Sequence, residues 1–380
     1  MSRSAFLIDL ALVIGLGLLL LALSNLSATP LSPAGVQSAA SSTLAIIPTI
    51  TLPDVSLPSL PATTVADAPA EALPPPAKTQ SAPAVAAAPK TVPLVAATTP
   101  EVVPATPLES AAVTLRKALV NILCIAPPSS GIRSISGSGV IVDPKGIILT
   151  NAHIAQFFLL EKNSVSCTIR SGSPATARYK ASLIYIPTAW VKENAGILNE
   201  EAPVGTGERD YGLLAVTRSA TEESLPSSFS YIPLAAKAPA TSTPVAIASY
   251  GSQSLVYDQI RSTLYPTIVF SSVKDVYTFA RTTVDVIELG GSAAAQQGSS
   301  GGGVTDVSGT LIGTITTSTT EGETSARILA AITASYIRAD YANATGEPLN
   351  LLLAKPTAVS VADFAPNISA LRSLITAQLP

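Results

Sequence analysis

Residues 296–306, QQGSSGGGVTD, set two adjacent serines among four glycines in a chain that is otherwise strongly apolar. A serine hydroxyl that attacks a carbonyl must stand exposed on a tight turn, with backbone N–H groups facing the developing oxyanion. Around Ser300 the pattern is G-x-S-G-G, with Gly298 two residues before it and Gly301 and Gly302 directly after. Glycines at those positions permit the turn and clear side chains from the path of a substrate. Taken alone, the stretch reads first as a Gly/Ser-rich surface loop, so the remaining residues decide.

The chain has a single histidine, His153, in GIILTNAHIAQ at the end of a strand-like run. An imidazole exchanges its proton near neutral pH and can therefore serve a serine as general base. A lone histidine is otherwise more often structural than catalytic. Such a base needs a carboxylate to orient it. GERDYGLLAV offers Asp210 at the head of an apolar run that would draw it out of water, whereas Glu200, Glu201, Glu222 and Glu223 stand in charged, loop-like settings. By itself Asp210 reads equally as a strand-initiating turn residue. Taken in the chain order His153, Asp210, Ser300, the three form one of the convergent arrangements for serine hydrolysis.

These side chains need rigid elements to hold them. Short β-rich runs fill the span 111–345: GSGVIVD, GIILT, ASLIYI, YGLLAV, PVAIASYG, YPTIVFSSV and TLIGTITTS. VDPKGI, with Pro second and Gly fourth, joins two of them as a hairpin. Many short strands between Gly/Pro turns predict a barrel or sandwich, and the span suits a pair of small barrels.

SGSGVIVDPKGIILTNAHI, DYGLLAV and GSSGGGVTDVSGTLIGTIT, in that order, resemble the three signature blocks of trypsin-like serine proteases, most closely those of the HtrA/DegP type. The resemblance implies an all-β, chymotrypsin-like fold of two six-stranded antiparallel barrels with the active site between them. It makes His153 the base, Asp210 its orienter and Ser300 the nucleophile, with the backbone N–H groups of Gly298 and Ser300 as the oxyanion hole. It also implies a substrate pocket with Ala294 at its base and Thr316, in GTITTS, on its opposite wall, both uncharged and so suited to small or medium apolar side chains. Cys124 and Cys167 fall where the first and fourth strands of the first barrel would be neighbours, which implies either a disulfide or two buried thiols. Gly212 departs from the family pattern, which often has Ala there, and the PDZ domains usual in HtrA proteins are not expected after the protease. The stretch 187–208 reads as an enlarged loop before Asp210.

The rest of the chain reads as three further zones. Residues 1–23 hold an apolar run from 5 to 23, broken only by Asp9 and preceded by Arg3, long enough to cross a bilayer as an anchor or to act as a cleaved signal peptide. Either way the bulk of the chain is exported. Residues 24–110 contain no Phe, Tyr or Trp and carry 16 of the chain's 31 prolines. No core can form from that composition, so a disordered linker is predicted. Residues 346–380 read as a short tail in which ISALRSLITAQL is helical.

A net charge of −3 gives no electrostatic case for nucleic acid. Two cysteines without CxxC spacing and one histidine give no case for a metal, and no cofactor is expected. The expected partners are protein or peptide substrates, and the membrane through the N-terminal helix. Two other readings use the same residues: a tethered protease-like binding module with suppressed catalysis, and an esterase. The sequence leaves oligomeric state open.

Overall fold

The computed structural model describes residues 106–379 except 162–164, 200–204, 280–281, 319–322 and 324–325. The anchor or signal segment (1–23) and nearly all of the linker (24–110) lie outside the described residues. Among the described residues no helix is long and apolar enough to cross a membrane.

The folded part begins at α1 (Pro107–Ala118), four residues before the start read from the sequence. Its first turn is fixed by a capping box. The Thr106 hydroxyl accepts from the Glu109 N–H, and the Glu109 carboxylate accepts from the Thr106 N–H. Proline at the first helical position costs nothing there, because that N–H has no partner in a helix. Ala111, Ala112, Leu115 and Ala118 form its buried face.

From α1 the chain passes directly into β1 (Leu119–Ile125), the first strand of a closed antiparallel barrel. The others are β2 (Ile135–Asp143), β3 (Ile147–Thr150), β4 (Ser166–Gly172), β5 (Ala175–Tyr185) and β6 (Gly212–Ser219), in the order β1-β2-β3-β6-β5-β4. Between them lie a single helical turn, α2 (Ala152–Ala155), and α3 (Thr188–Glu193), which occupies part of the stretch read as an enlarged loop. Cys124 and Cys167 face each other across the β1–β4 pair and are joined by a disulfide, S–S 2.07 Å.

The second sheet is built from β7 (Pro244–Ser249), β8 (Thr267–Ser272), β9 (Asp275–Tyr277), β10 (Val286–Glu288), β11 (Gly303–Asp306), β12 (Leu311–Ser318) and β13 (Leu329–Thr333). Its order is β8-β7-β11-β12-β13-β10-β9, seven strands where six were expected. The extra strand has a simple origin. β8 and β9 are consecutive, separated only by Val273 and Lys274, and pair with opposite ends of the sheet. One bent strand thus serves both edges and curls the sheet into a half-barrel. The bend is held by Val273 N–H to Thr243 O and Lys274 N–H to Glu288 O. A short helix, α4 (Tyr257–Ser262), connects β7 to β8.

Three helices follow: α5 (Ala334–Thr345), α6 (Leu349–Ala354) and α7 (Thr357–Thr376). The segment read as a short tail is therefore an integral layer. α7 packs on β5, β6 and α3, burying Phe364, Leu371 and Ile375, and Arg372 Nε donates to Leu159 O at 2.7 Å. α1 crosses the other way and lies on β7 and β11 of the second sheet. One continuous apolar core runs through both sheets and these helices.

Candidate active site

β3 is buried along its whole length and delivers the chain to Thr150. Asn151 then leaves the strand in an extended conformation, and its carbonyl accepts from the N–H groups of Ile154 and Ala155, which turns the chain into α2. His153 lies on that single turn with about a fifth of its side chain exposed. α2 seats closely on Gly212, the first residue of β6. A Cβ at that position would come within 2.5 Å of the Ala155 Cβ. The departure from Ala at 212 thus fits the packing of the element that carries the histidine.

Asp210 stands at the tip of a three-residue turn closed by the Tyr211 N–H to Arg209 O bond. Its carboxylate is almost fully buried and satisfied on both oxygens. Oδ1 accepts from the His153 backbone N–H at 3.0 Å, and Oδ2 lies 2.8 Å from His153 Nδ1 and accepts from Thr316 Oγ1 at 2.7 Å. A carboxylate only accepts, so Nδ1 carries the hydrogen and the Nε2 lone pair is left for a proton. Burial alone would raise the Asp210 carboxyl. The positive charge available on His153, with the hydrogen bonds from His153 and Thr316, outweighs it and holds the group below the ordinary carboxylate range. Asn151 Nδ2 fixes the turn further by donating to Asp210 O at 2.9 Å.

Of the two adjacent serines, Ser299 is buried and its Oγ accepts from Ser249 Oγ at 3.0 Å, whereas Ser300 is partly exposed. Gly298 and Gly301 take φ values of +88° and +84°, and a side chain at 301 would collide with the Ser138 carbonyl. Within this turn the N–H groups of Ser299, Gly301 and Gly302 bond to Gln296 O, Ile315 O and Ser299 O. Those of Gly298 and Ser300 make no such bond among the described residues, so the two donors assigned to the oxyanion are the uncommitted ones.

Ser138 of β2 ties the turn to the first barrel. Its N–H donates to Ser300 O at 2.8 Å, its hydroxyl donates to Gly298 O at 2.8 Å, and its carbonyl accepts from Thr150 Oγ1 at 2.7 Å. The serine turn is thereby held against the strand that leads to His153. No hydrogen bond joins Ser300 to His153 among the described residues; the pair the structure closes directly is His153 with Asp210.

The two residues assigned to the substrate pocket are both buried. Ala294 is fully buried in the loop before Ser300, where its N–H meets Ser292 Oγ, so it offers no surface to a substrate side chain. Thr316 turns its hydroxyl onto the Asp210 carboxylate. Thr316, Ser138 and Asn151 are the site residues that sequence reasoning did not assign these tasks. TLIGTITTS reads as a strand, but nothing local names what Thr316 meets. Among the described residues no three His, Cys, Asp or Glu side chains gather as a metal site.

Residues 137–313 match the family model described as a trypsin-like peptidase domain. No curated protein matches the chain. Among solved structures the chain is similar to the Rv3671c protease from M. tuberculosis. The active form is 18% identical with a TM-score of 0.39, over 63% of this chain and 86% of that one. An inactive serine-to-alanine mutant of the same protease from M. tuberculosis H37Rv is 16% identical with a TM-score of 0.39, over 62% and 90%.

Proposed function

We propose that the chain, whose residues 137–313 match a trypsin-like peptidase domain, is an exported serine endopeptidase that works through an acyl-enzyme on Ser300. His153 Nε2 takes the Ser300 hydroxyl proton as Oγ bonds to the scissile carbonyl carbon. The carbonyl π pair moves onto oxygen, and the resulting oxyanion is received by the Gly298 and Ser300 N–H groups. The imidazolium then protonates the departing amine as the C–N bond breaks, and water releases the acyl group by the same steps. Asp210 keeps Nδ1 protonated and balances the transient charge on the ring. The observation that carries this reading is the doubly held Asp210 carboxylate on the chain's only imidazole, 2.8 Å from Nδ1.

Export with the protease domain outside the cytoplasm is favoured by the apolar run 5–23 behind Arg3 and by a disulfide, which persists in oxidising compartments. We read that run as the membrane anchor. A fluorophosphonate probe tests the chemistry. It should label the wild-type protein and leave Ser300→Ala unlabelled; an unlabelled wild type that still binds peptides would make the domain a binding module. Mass spectrometry of the mature N-terminus, with extraction from membranes at alkaline pH, tests the anchor. A chain cut after residue 24 and found free in solution overturns it.

A further inference from the structure

We propose that Asp340 and Tyr336 of α5 are positioning residues that hold Asp210 from both sides, an inference that rests on Asp210 being the orienter of His153. The two neighbours of Asp210 in the chain both end on this helix. On one side, Arg209 donates its backbone N–H to the Tyr336 hydroxyl at 3.0 Å, and its Nε lies 3.7 Å from Asp340 Oδ1. On the other side, the Tyr211 hydroxyl donates to Asp340 Oδ2 at 2.8 Å. One carboxylate, an oxygen to each side, thus spans the three-residue turn on whose tip Asp210 sits.

The turn needs such a hold. Arg209 adopts φ +58°, a left-handed conformation that costs energy for a residue with a side chain and persists only when its surroundings fix it. Tyr211 is fully buried, and burial first, then the Tyr185 and Asp340 groups, push its phenol far above the ordinary value, so it stays a hydrogen-bond donor toward Asp340. The ring stacks on Tyr185, 5.8 Å between centroids, and Tyr185 meets Tyr341 of α5 edge-on at 4.7 Å. α5 is itself a fixed platform. Its N-cap Thr333 accepts from Tyr336 N–H, Arg338 donates to Leu234 O and Ala235 O, and Tyr336 packs edge-on against Phe279. Tyr336 and Asp340 lie one helical turn apart and present their groups on one face. Asp340 touches neither His153 nor Ser300 by any hydrogen bond or ion pair of the structure, so its influence on the reaction passes through the geometry of Asp210.

The test compares Asp340→Ala, Tyr211→Phe and Tyr336→Phe with Asp210→Asn, alone and combined, reading kcat and KM on a peptide substrate and the rate of fluorophosphonate labelling. Asp340→Ala should lower kcat by about ten- to a hundredfold with KM within about twofold of wild type. Each Phe variant, which removes a single hydroxyl, should lose a few-fold of kcat. On an Asp210→Asn background, Asp340→Ala should add nothing further. A residue needed only for folding would slow that background by the same factor again, and this outcome overturns the proposal. So does Asp340→Ala, or Tyr211→Phe if the alanine variant does not fold, acting with wild-type kcat while Asp210→Asn is crippled. Wild-type activity in Asp210→Asn itself would instead sink the triad reading on which the inference stands.

Discussion

Ser299 and Ser300 share a turn but not an environment, and their substitution should separate reactivity from packing. Ser300→Ala is expected to lower kcat by about three to six orders of magnitude, leaving what binding and the oxyanion donors supply. Ser299→Ala deletes a buried hydroxyl that receives Ser249 Oγ. It should cost about 1 kcal/mol of stability and leave kcat within a few-fold. Reversed effects in a steady-state assay would show that the reactive serine had been misassigned.

Thr316 gives a pH-dependent counterpart. The Asp210 carboxyl titrates below the ordinary range in the folded protein, so it adds stability above the unfolded value of about 4 and loses it as pH falls through the folded value. Thr316→Val removes one of the groups that lower it and raises the folded value. The acid unfolding transition, followed by fluorescence of the single tryptophan, buried Trp190, should therefore begin at higher pH. Loss of a hydrogen bond to a charged group, about 1.5–3 kcal/mol, should also slow turnover by about tenfold or more if it is felt in the transition state. An unchanged acid transition would mean that the hydroxyl does not stabilise the carboxylate. The His153–Asp210 pair was legible in the sequence because its residue types are restrictive: one histidine, and one aspartate heading an apolar strand. Its supports were not. Thr316 meets Asp210 across 106 residues, Tyr211 meets Asp340 across 129 and Ser138 meets Gly298 across 160, through hydroxyls that leave no local pattern.

The strands were the readable elements, and α5, α6 and the first half of α7 the hidden ones. Runs such as YGLLAV carry buried β-branched and aliphatic residues between turn signals, and all seven surface in the structure, as β2, β3, β5, β6, β7, β8 and β12. β9 and β10, three residues each, are too short to show a period. Within residues 346–380 the sequence predicts helix only in ISALRSLITAQL; α7 instead runs from Thr357 and contains Pro366, a residue that lacks the N–H a helix interior uses. Tertiary packing overrides the local signal here, since Phe364 before the proline and Leu371 and Ile375 after it bury against the first barrel and α3. Leu371→Ala should destabilise the domain by about 2–5 kcal/mol. Chemical denaturation would check it, and a cost below about 0.5 kcal/mol would mean that α7 is a loosely attached tail.

Across the whole domain, the disulfide and the terminal helices decide how the pieces hold. The Cys124–Cys167 bridge closes a loop with a sequence separation of 43, worth about 4 kcal/mol in the chain-entropy treatment. Labelling of the denatured, unreduced protein should find no reactive thiol, and Cys124→Ala with Cys167→Ala should lower the denaturation midpoint measurably. Two labelled thiols would remove the bridge from the account. The crossing of α1 onto the second sheet and α7 onto the first has a consequence in time. A chain made in N-to-C order completes the strands of its first barrel at Ser219, but the helix that covers β5 and β6 follows only after both the second sheet and α5. At about 5–20 residues per second, the interval is on the order of ten seconds or more. For the first part of it the His153 and Asp210 segments exist without the serine turn, which is made only at residue 300, and then without Thr316 and α5 until those in turn are made. The newborn chain is therefore an unassembled hydrolase for as long as the second sheet and α5 are still to be made.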